Sequence, residues 1–444
     1  MSQGEDTVGR FQYLRGALRD TPPLAWSFLY FFCLLSGYYV LRPVRDAMAA
    51  SSDVSDVFAP GLVAWFTGRG IALQDFTLQA LFTATFVVML LLQPLYGALV
   101  SRYPRRVFLP VVYLVFMACL VGFYFAFLGE MPGRGALFFV WTAVFNLFAV
   151  SVFWSYMADV FDNLQARQLY GFIGAGGTLG GLAGPGLTKL FVVQVGVANM
   201  MLVSVAFLMV CLLCIAKLAP WARAAERRRG GKSGEEAMGG RVLEGLRLVW
   251  RDPLLRAMAL VMFFGVGIGT LLYNEQRAIA MRLSQDVFRT EFYSNIDLWI
   301  NLLVLVIQVF VTRTLLTRFG VAPALLIPAF AIMAGFAILT ASPLPLMIAI
   351  TQIATRAGEF ALAKPARETI YTRVDRESRY KAKAAIDTAV YRGGDLTFVW
   401  VHKGLAAFGS NVVFGVGLLV ATGFTLSALR LIREQRKLPP DTSV

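Results

Sequence analysis

Arg42 and Arg45 stand three residues apart in Tyr38-Tyr39-Val40-Leu41-Arg42-Pro43-Val44-Arg45-Asp46, at the end of an apolar run. That spacing puts both guanidinium groups on one helix face unless Pro43 kinks it. Two planar forks there can clamp a phosphate bidentately. Tyr38 and Tyr39 suit stacking on a ring or a place in the interfacial belt. The plain alternative for the arginines is an anchor at the outer membrane surface. Polar groups recur at the end of a later run, in Tyr273-Asn274-Glu275-Gln276-Arg277. Asn295, Asp297, Asn301 and Gln308 open the next run, with Asn301 and Gln308 on one face; hydrogen bonding inside a bundle is the ordinary role for Asp297 and Gln308. Arg356 and Glu359, spaced i, i+3, can neutralise each other, and Lys364, Arg367 and Glu368 follow at the helix end. Asp387, Tyr391, Arg392 and Asp395 share one broad face around Gly393-Gly394, which is expected to loosen the helix. Irregular backbone at membrane depth is tolerated where it lines a cavity, so Arg392 is the leading single candidate on physics alone. His402, the single histidine, follows Trp400. A proton relay there needs a carboxylate at bonding distance, and the favoured reading is an interfacial histidine.

These charges are informative because of what surrounds them. Of 444 residues 57% are hydrophobic and 15% charged, with mean hydropathy +0.64. A soluble enzyme, a nucleic-acid binder and a secreted disulfide scaffold are all argued against. An ionisable group in hydrocarbon costs about 2.5–3.5 kcal/mol even on the lenient insertion scale, so several kept together point to an aqueous cavity. The net charge of +14 fits cytoplasmic loops rich in Lys and Arg and needs no polyanion partner.

Twelve apolar runs are predicted to be transmembrane helices: Leu24–Leu41, Leu78–Val100, Val107–Leu128, Gly135–Ala158, Leu169–Val193, Val197–Leu218, Leu254–Gln276, Phe292–Leu316, Val321–Thr340, Leu344–Ala363, Ala384–Phe408 and Val412–Leu431. Segments on the N-terminal side of the membrane hold 29 Lys and Arg against 9 in the opposite loops, which places both termini in the cytoplasm. The polar N-terminus shows no cleavable signal pattern, so the first run is read as a retained span. The longest polar break, Ala219–Pro253, divides the spans six and six. The expected organisation is a cytoplasmic segment 1–23, a six-helix half 24–218, a cytoplasmic linker 219–253, a second half 254–433 and a tail 434–444. Arg45 and Glu275 stand at equivalent depth in the lead helices of the halves. Two parallel halves of this kind follow the major facilitator plan. The segment Val57–Thr67 is a candidate lid at the outer mouth.

Glycine supports that plan. Gly97-Ala-Leu-Val-Ser101-Arg102-Tyr103-Pro104-Arg105-Arg106 resembles the loop signature of the major facilitator superfamily, with Ser101 where an Asp is usual. Arg102 and Arg106 are candidate gating residues there; a charged anchor with a tight turn is the plain alternative. The fifth span carries Gly176, Gly177, Gly180, Gly184 and Pro185, and Gly180-x-x-x-Gly184-Pro185 resembles the fifth-helix motif of facilitator-type antiporters. Close helix packing is favoured over a phosphate cradle. Gly231-Lys232-Ser233 lacks the Gly that a phosphate-binding loop requires, since Glu226 stands there, so the chain carries no ATPase module of its own. Cys211-x-x-Cys214 lies in an apolar run and reads as packing, not as a metal or redox pair.

Four patches resemble the ATP/ADP translocase (nucleotide transporter) family of plastids and obligate intracellular bacteria. Leu41-Arg42-Pro43-Val44-Arg45-Asp46 looks like its Leu-Arg-x-x-Lys-Asp. Phe145-Asn146-Leu147-Phe148 with Ser151-Val152-Phe153-Trp154 looks like its Glu-Leu-Trp-Gly and Ser-Val-Leu-Phe-Trp. Tyr273-Asn274-Glu275 looks like its span-seven patch with a functional Glu. Tyr380-Lys381-Ala382-Lys383-Ala384-Ala385-Ile386-Asp387, followed by Arg392-Gly393-Gly394, looks like its Lys-Gly-Lys-Ala-Ala-Ile-Asp and Lys-Ser-Gly-Gly, and is the most specific patch. The family uses two Lys and two Glu in transport. Carried over by motif, these positions are Arg45, Asn146, Glu275 and Arg392. Both Lys are Arg here, one Glu is Asn, and the match at Arg392 needs a short gap.

The resulting expectation is an all-α polytopic membrane protein with twelve transmembrane helices in two six-helix halves, major facilitator-like. It is not an enzyme. It moves an organic anion by rocker-switch exchange, with nucleotide exchange of the ATP/ADP type implied by the resemblance. Arg42, Arg45 and Arg392 bind anionic groups, Glu275 and Asp387 position or compete with them, Tyr38, Tyr39 or Trp154 stack, and Asn146 follows from the resemblance. Asp46, Asp297, Arg356, Glu359, Asp395, Arg102 and Arg106 are candidates for coupling or gating. The alternative on the same fold is proton-coupled export of an amphipathic drug or lysolipid. No cofactor, metal or nucleic acid is expected. The partners are the solute and the bilayer of a bacterial inner membrane, and the chain is expected to act as a monomer.

Overall fold

The computed structural model describes residues 22–51, 54–102, 105–161, 163–228, 242–312, 314–371, 374, 382–383, 385 and 386–437; within these, the side chains of 93–102, 105–107, 163–168, 225–228, 242–244 and some single residues are outside the description. Residues 1–21, 229–241, 375–381 and 438–444 are among those that lie outside. Every described regular element is helical, and each of the twelve apolar runs is helical over nearly all of its described residues. The first six are α1 (Pro22–Ser51), α4 (Thr77–Arg102), α5 (Arg105–Leu128), α6 (Arg134–Val160), α7 (Asn163–Val195) and α8 (Val197–Arg228). Two short helices, α2 (Val54–Val57) and α3 (Pro60–Thr67), join α1 to α4. After a short α9 (Val242–Arg251) come α10 (Pro253–Ala280), α11 (Asp286–Ile307), α12 (Val321–Ala341), α13 (Pro345–Gly358), α14 (Lys364–Tyr371), α15 (Tyr391–Ala406) and α16 (Ser410–Arg436). Among the described residues eight helices are long and apolar enough to cross a bilayer, from Pro23–Ala50 to Ser410–Arg436.

Local chemistry sets several boundaries. Asp252 caps α10, its Oδ1 accepting from the Leu254 and Leu255 amides at 2.7 and 3.3 Å, and Pro253 fills the first helical turn where its missing N–H costs nothing. Gly320 and Gly409 take positive φ (75° and 95°) where the chain reverses before α12 and α16. Pro43 lies inside α1 without ending it, so α1 continues ten residues past Leu41 and keeps Arg42 and Arg45 on one helix. No residue of α3 is buried. The irregular backbone predicted at Gly393-Gly394 sits one turn earlier, in a π-helical turn at Ile386–Val390, while α15 runs regularly through both glycines. Further π turns occupy Gln308–Thr312, Leu315–Phe319 and Glu359–Ala363. Wide turns of this kind widen the helix locally and free carbonyls for side chains. Thr312 Oγ1 donates to Ala361 O at 2.8 Å and Gln308 Nε2 to Phe360 O at 3.4 Å, so two of these turns face each other.

The chain divides into two compact units, Met1–Arg45 with Leu92–Ala237, and Asp46–Leu91 with Met238–Val444. The core of the first is aromatic: Tyr30 bonds Tyr113 through their hydroxyls at 2.6 Å, and Phe31 stacks on Phe153 at 4.3 Å. Cys211 is buried against it, its Sγ 3.7 Å from Tyr30 O, as the packing reading expects. The second unit is built on α10, α12 and α16, whose inward faces carry Leu271, Phe336, Phe414 and Phe424. Leu137, Leu213, Phe310 and Leu419 are more than 60% exposed, the outward apolar surface that a bilayer covers.

Candidate functional site

In the first unit the site residues hang on α1. Arg42 is 8% exposed, and its guanidinium carbon lies 5.6 Å from the Tyr39 ring centroid. The Arg45 guanidinium lies 5.2 Å from the Phe139 ring. Both distances are within the reach of cation–π attraction, about 0.5–2 kcal/mol each. Tyr38 is buried, edge-on to Tyr39 at 5.2 Å and tilted to Phe145 at 6.5 Å. The pairs Phe31–Phe153, Tyr38–Phe145 and Arg45–Phe139 climb α1 while descending α6, so the two helices run antiparallel. Asn146 is half-buried beside Phe145, whose ring lies flat on Trp141 at 5.3 Å. Trp154 belongs to a different group, with Phe31, Phe153 and Tyr170 near 5 Å. It stands fifteen residues from Phe139, about 22 Å along a helix, and so is not at the arginines.

The glycines of α7 position this arrangement. A Cβ on Gly176, Gly180 or Gly184 would collide with the α1 backbone at Phe28, Phe32 and Ser36, and one on Gly177 with the Phe31 ring. At Gly184 it would also stand 2.6 Å from the Tyr39 Cβ. Thr188 Oγ1 donates to Val40 O at 3.3 Å in the next turn. The glycine face thus sets α1 at backbone contact and fixes the stretch that carries Tyr39 and Arg42. Arg102 and Arg106 lie in α4 and α5, but their side chains are outside the described residues.

In the second unit the polar groups converge on α10. Thr270 Oγ1 donates to Asp395 Oδ1 at 2.9 Å, and Arg392 Nη1 lies 3.4 Å from Asp395 Oδ2. The Arg392 guanidinium also covers the Tyr391 ring at 5.3 Å. Asn274 Nδ2 donates back to Thr270 O at 2.7 Å. One turn on, Tyr273 donates its hydroxyl to Asp46 Oδ1 at 3.1 Å, and Arg277 donates to Ala49 O and Thr77 Oγ1 at 3.1 and 3.2 Å. Glu275 is 7% exposed. Its Oε1 lies 2.9 Å from His402 Nε2, and its Oε2 accepts from Ser410 Oγ at 2.8 Å. Sequence favours an interfacial role for His402; the structure gives it the carboxylate that such a role lacks. Asp297 is buried, and Asn301 Nδ2 donates to its carbonyl at 2.8 Å.

Glu359 finds a different partner from the one its spacing suggests. Arg367, eight residues on, grips it with both arms, Nη1 to Oε2 at 3.1 Å and Nη2 to Oε1, while Arg356 is half-buried. Burial works against the Arg367 charge, but Glu359 outweighs it and holds the guanidinium charged more firmly than in water. Burial likewise pushes the Tyr371 phenol up, and Asp387 adds to the effect. Asp387 is exposed on its π turn. Sequence reasoning did not single out Thr270, Thr77 or Ser410. Thr270-x-x-x-Asn274 carries an i, i+4 signal, but nothing in sequence joins Ser410 to Glu275.

Three comparisons bear on this arrangement. The family model described as Major Facilitator Superfamily matches residues 28–394. The "ADP,ATP carrier protein 1" of Chlamydia trachomatis serovar D is 24% identical over 435 residues, covering 85% of this chain and 81% of the relative. That of Chlamydia pneumoniae is 22% identical, covering 85% and 83%. Among solved structures, a D-xylose–proton symporter superposes with a TM-score of 0.63 at 14% identity, covering 95% of this chain and 98% of that one. A nucleoside transporter superposes with a TM-score of 0.58 at 14% identity, covering 93% and 98%.

Proposed function

The chain belongs to the Major Facilitator Superfamily and is a multi-pass secondary transporter of a small solute; from that premise we propose that the solute is an organic anion, and a nucleotide exchanged in the ATP/ADP manner. The observation that carries this reading is Arg42 and Arg45 on one face of a membrane helix, braced by rings and by the α7 glycines. Ionisable groups inside a membrane are costly and characteristically line solute pathways. Arg42 and Arg45 supply the forks that bind phosphate, Arg392 supplies a further cation, and Glu275 holds a negative charge that the anion must compete with or displace. Tyr38 and Tyr39 suit stacking on a base. Asn146, half-buried beside the Phe145–Trp141 stack, replaces a carboxylate in the family pattern and tunes specificity rather than charge.

In this reading the segments 24–218 and 254–433 rock against each other in a monomer, both termini face the cytoplasm of a bacterium, and the membrane is the inner one. Asp46, Asp297, Arg356, Glu359, Asp395, Arg102 and Arg106 contribute to gating. The test uses purified protein in liposomes loaded with unlabelled ATP or ADP and offered labelled nucleotide. Uptake that requires internal nucleotide, and falls at least about tenfold in Arg45→Ala and Arg392→Ala, is the expected result. Folded protein with no uptake above empty liposomes removes nucleotides from the reading.

A further inference from the structure

His402, Glu275 and Ser410 come from three helices, α15, α10 and α16, and meet within hydrogen-bond distance. The carboxylate is engaged at both oxygens, and the two side chains of the pair are 8% and 13% exposed. A contact of 2.9 Å between imidazole nitrogen and carboxylate oxygen requires one proton between them. With that single proton the pair carries one negative charge. A second proton, taken at the free Nδ1, gives imidazolium and carboxylate and makes the pair neutral. An N–H bond forms at Nδ1 as an O–H bond of a solvent hydronium breaks and leaves water, and no other bond changes.

We propose that this triad is a proton-binding site, and that its protonation is linked to solute binding. The described charged and polar groups around it have contacts of their own. From α10, Tyr273 is turned to Asp46 and Arg277 to Ala49 O and Thr77. From α15, the adjacent Lys403 ammonium lies over the Phe76 ring at 4.6 Å, and Arg392 with Asp395 forms an ion pair about two turns away. From the first turns of α4, Gln79 Nε2 reaches Val399 O at 3.4 Å, an uncharged contact. From α16, only the Ser410 hydroxyl arrives, and no titratable residue follows in that helix before Arg430. The link to transport rests on the anion reading above. A proton removes the negative charge of the pair, so protonation and anion binding favour each other, and by reciprocity the anion draws the proton in.

His402 is the chain's single histidine, which gives a test that needs no substrate. Protein carrying 15N-histidine, with any affinity tag removed, is placed in nanodiscs, and the ring-nitrogen resonances are followed from pH 5 to 8.5. Expected are one titrating imidazole in the parent chain, a curve displaced along the pH axis in Glu275→Gln, and no signal in His402→Gln. A resonance that ignores pH, or a curve identical in Glu275→Gln, overturns the site. Ser410→Ala keeps both titrating groups; it serves if Glu275→Gln does not fold, and an unchanged curve there overturns the site as well. Transport then tests the link. Labelled ATP uptake is expected to be greater at pH 5.5 than at pH 8, with that ratio collapsing to about one in His402→Gln. Uptake with the same pH ratio in both proteins overturns the link. Absent uptake with a titrating, Glu275-sensitive imidazole upholds the proton site and refutes only the nucleotide reading.

Discussion

The two units hold their candidate residues in opposite ways. In the first, α1 is placed by sterics: three glycines of α7 admit its backbone and a fourth its Phe31 ring, and rings from α6 line up along it in antiparallel register. In the second, α10, α15 and their neighbours are tied by polar pairs: Arg392 with Asp395, Glu275 with His402, and Glu359 with Arg367. A glycine face excludes added volume but is indifferent to charge. An ion pair excludes the loss of a charge but tolerates modest changes of shape. The α1–α7 contact should therefore fail when atoms are added, and the polar ties of α10, α15 and α16 when charges are removed.

The sharpest break is expected at Gly180. Gly180→Leu drives a side chain into the α1 backbone at Phe32 and Ser36, which cannot give way as a flexible side-chain tip would. The cost is about 3 kcal/mol or more, read as lost monodisperse protein in detergent and a lowered melting temperature. Gly393→Ala in the second unit meets nothing within 4 Å, so it should change melting little or raise it, by up to about 1 kcal/mol. If both behave alike, steric placement is not what distinguishes the α1–α7 contact from the backbone beside Arg392 and Asp395. Next comes Glu359→Gln, which strands Arg367, itself 7% exposed, without its charge partner. About 2–3 kcal/mol of destabilisation is expected, below the fully buried range because Glu359 is 29% exposed. Chemical denaturation in micelles checks it, and an Arg367→Gln, Glu359→Gln double variant that recovers part of the loss would sharpen the case.

How far this division shows in the sequence also differs between the units. The glycine pattern of the fifth span could be read as close packing because i, i+4 spacing of small residues means one thing on any helix. The helices themselves were legible from apolar run length, and α1 overshot Leu41 only because Pro43 sits inside a helix without ending it. The polar ties of the second unit were mostly illegible. Arg392–Asp395 is an i, i+3 pair and could be seen. Glu359 and Arg367 are eight apart, and a π turn between them sets their approach. Glu275 and His402 are separated by 127 residues, and a side chain so distant in sequence leaves no periodic trace.

A smaller effect tests the site itself. Arg392 and Asp395 lie 3.4 Å apart with side chains 29% and 16% exposed, so their coupling should be about 1 kcal/mol in a double-mutant cycle on stability. Arg45 and Phe139 should couple by about 0.5–1 kcal/mol, since a ring attracts a guanidinium without cancelling its charge. In 0.5 M salt the first coupling should weaken and the second persist. Equal salt dependence would erase the distinction drawn between cations held by carboxylates and cations held by rings.

The smallest effect belongs to an ion pair that looks as good as any by distance. Lys383 Nζ lies 2.7 and 2.6 Å from the two oxygens of Glu368, closer than Arg392 is to Asp395. Its side chains, however, are 37% and 47% exposed. Water solvates both charges before and after folding, and two long side chains lose rotamer freedom to meet. The ammonium also lies over the Tyr371 ring at 5.4 Å, a contact that survives loss of the carboxylate. Glu368→Gln should therefore cost under about 0.5 kcal/mol, and that remainder should vanish in high salt. A loss comparable to that of Glu359→Gln would mean that charge pairing governs the second unit whatever its exposure, and that burial is not what makes the Glu359–Arg367 grip count.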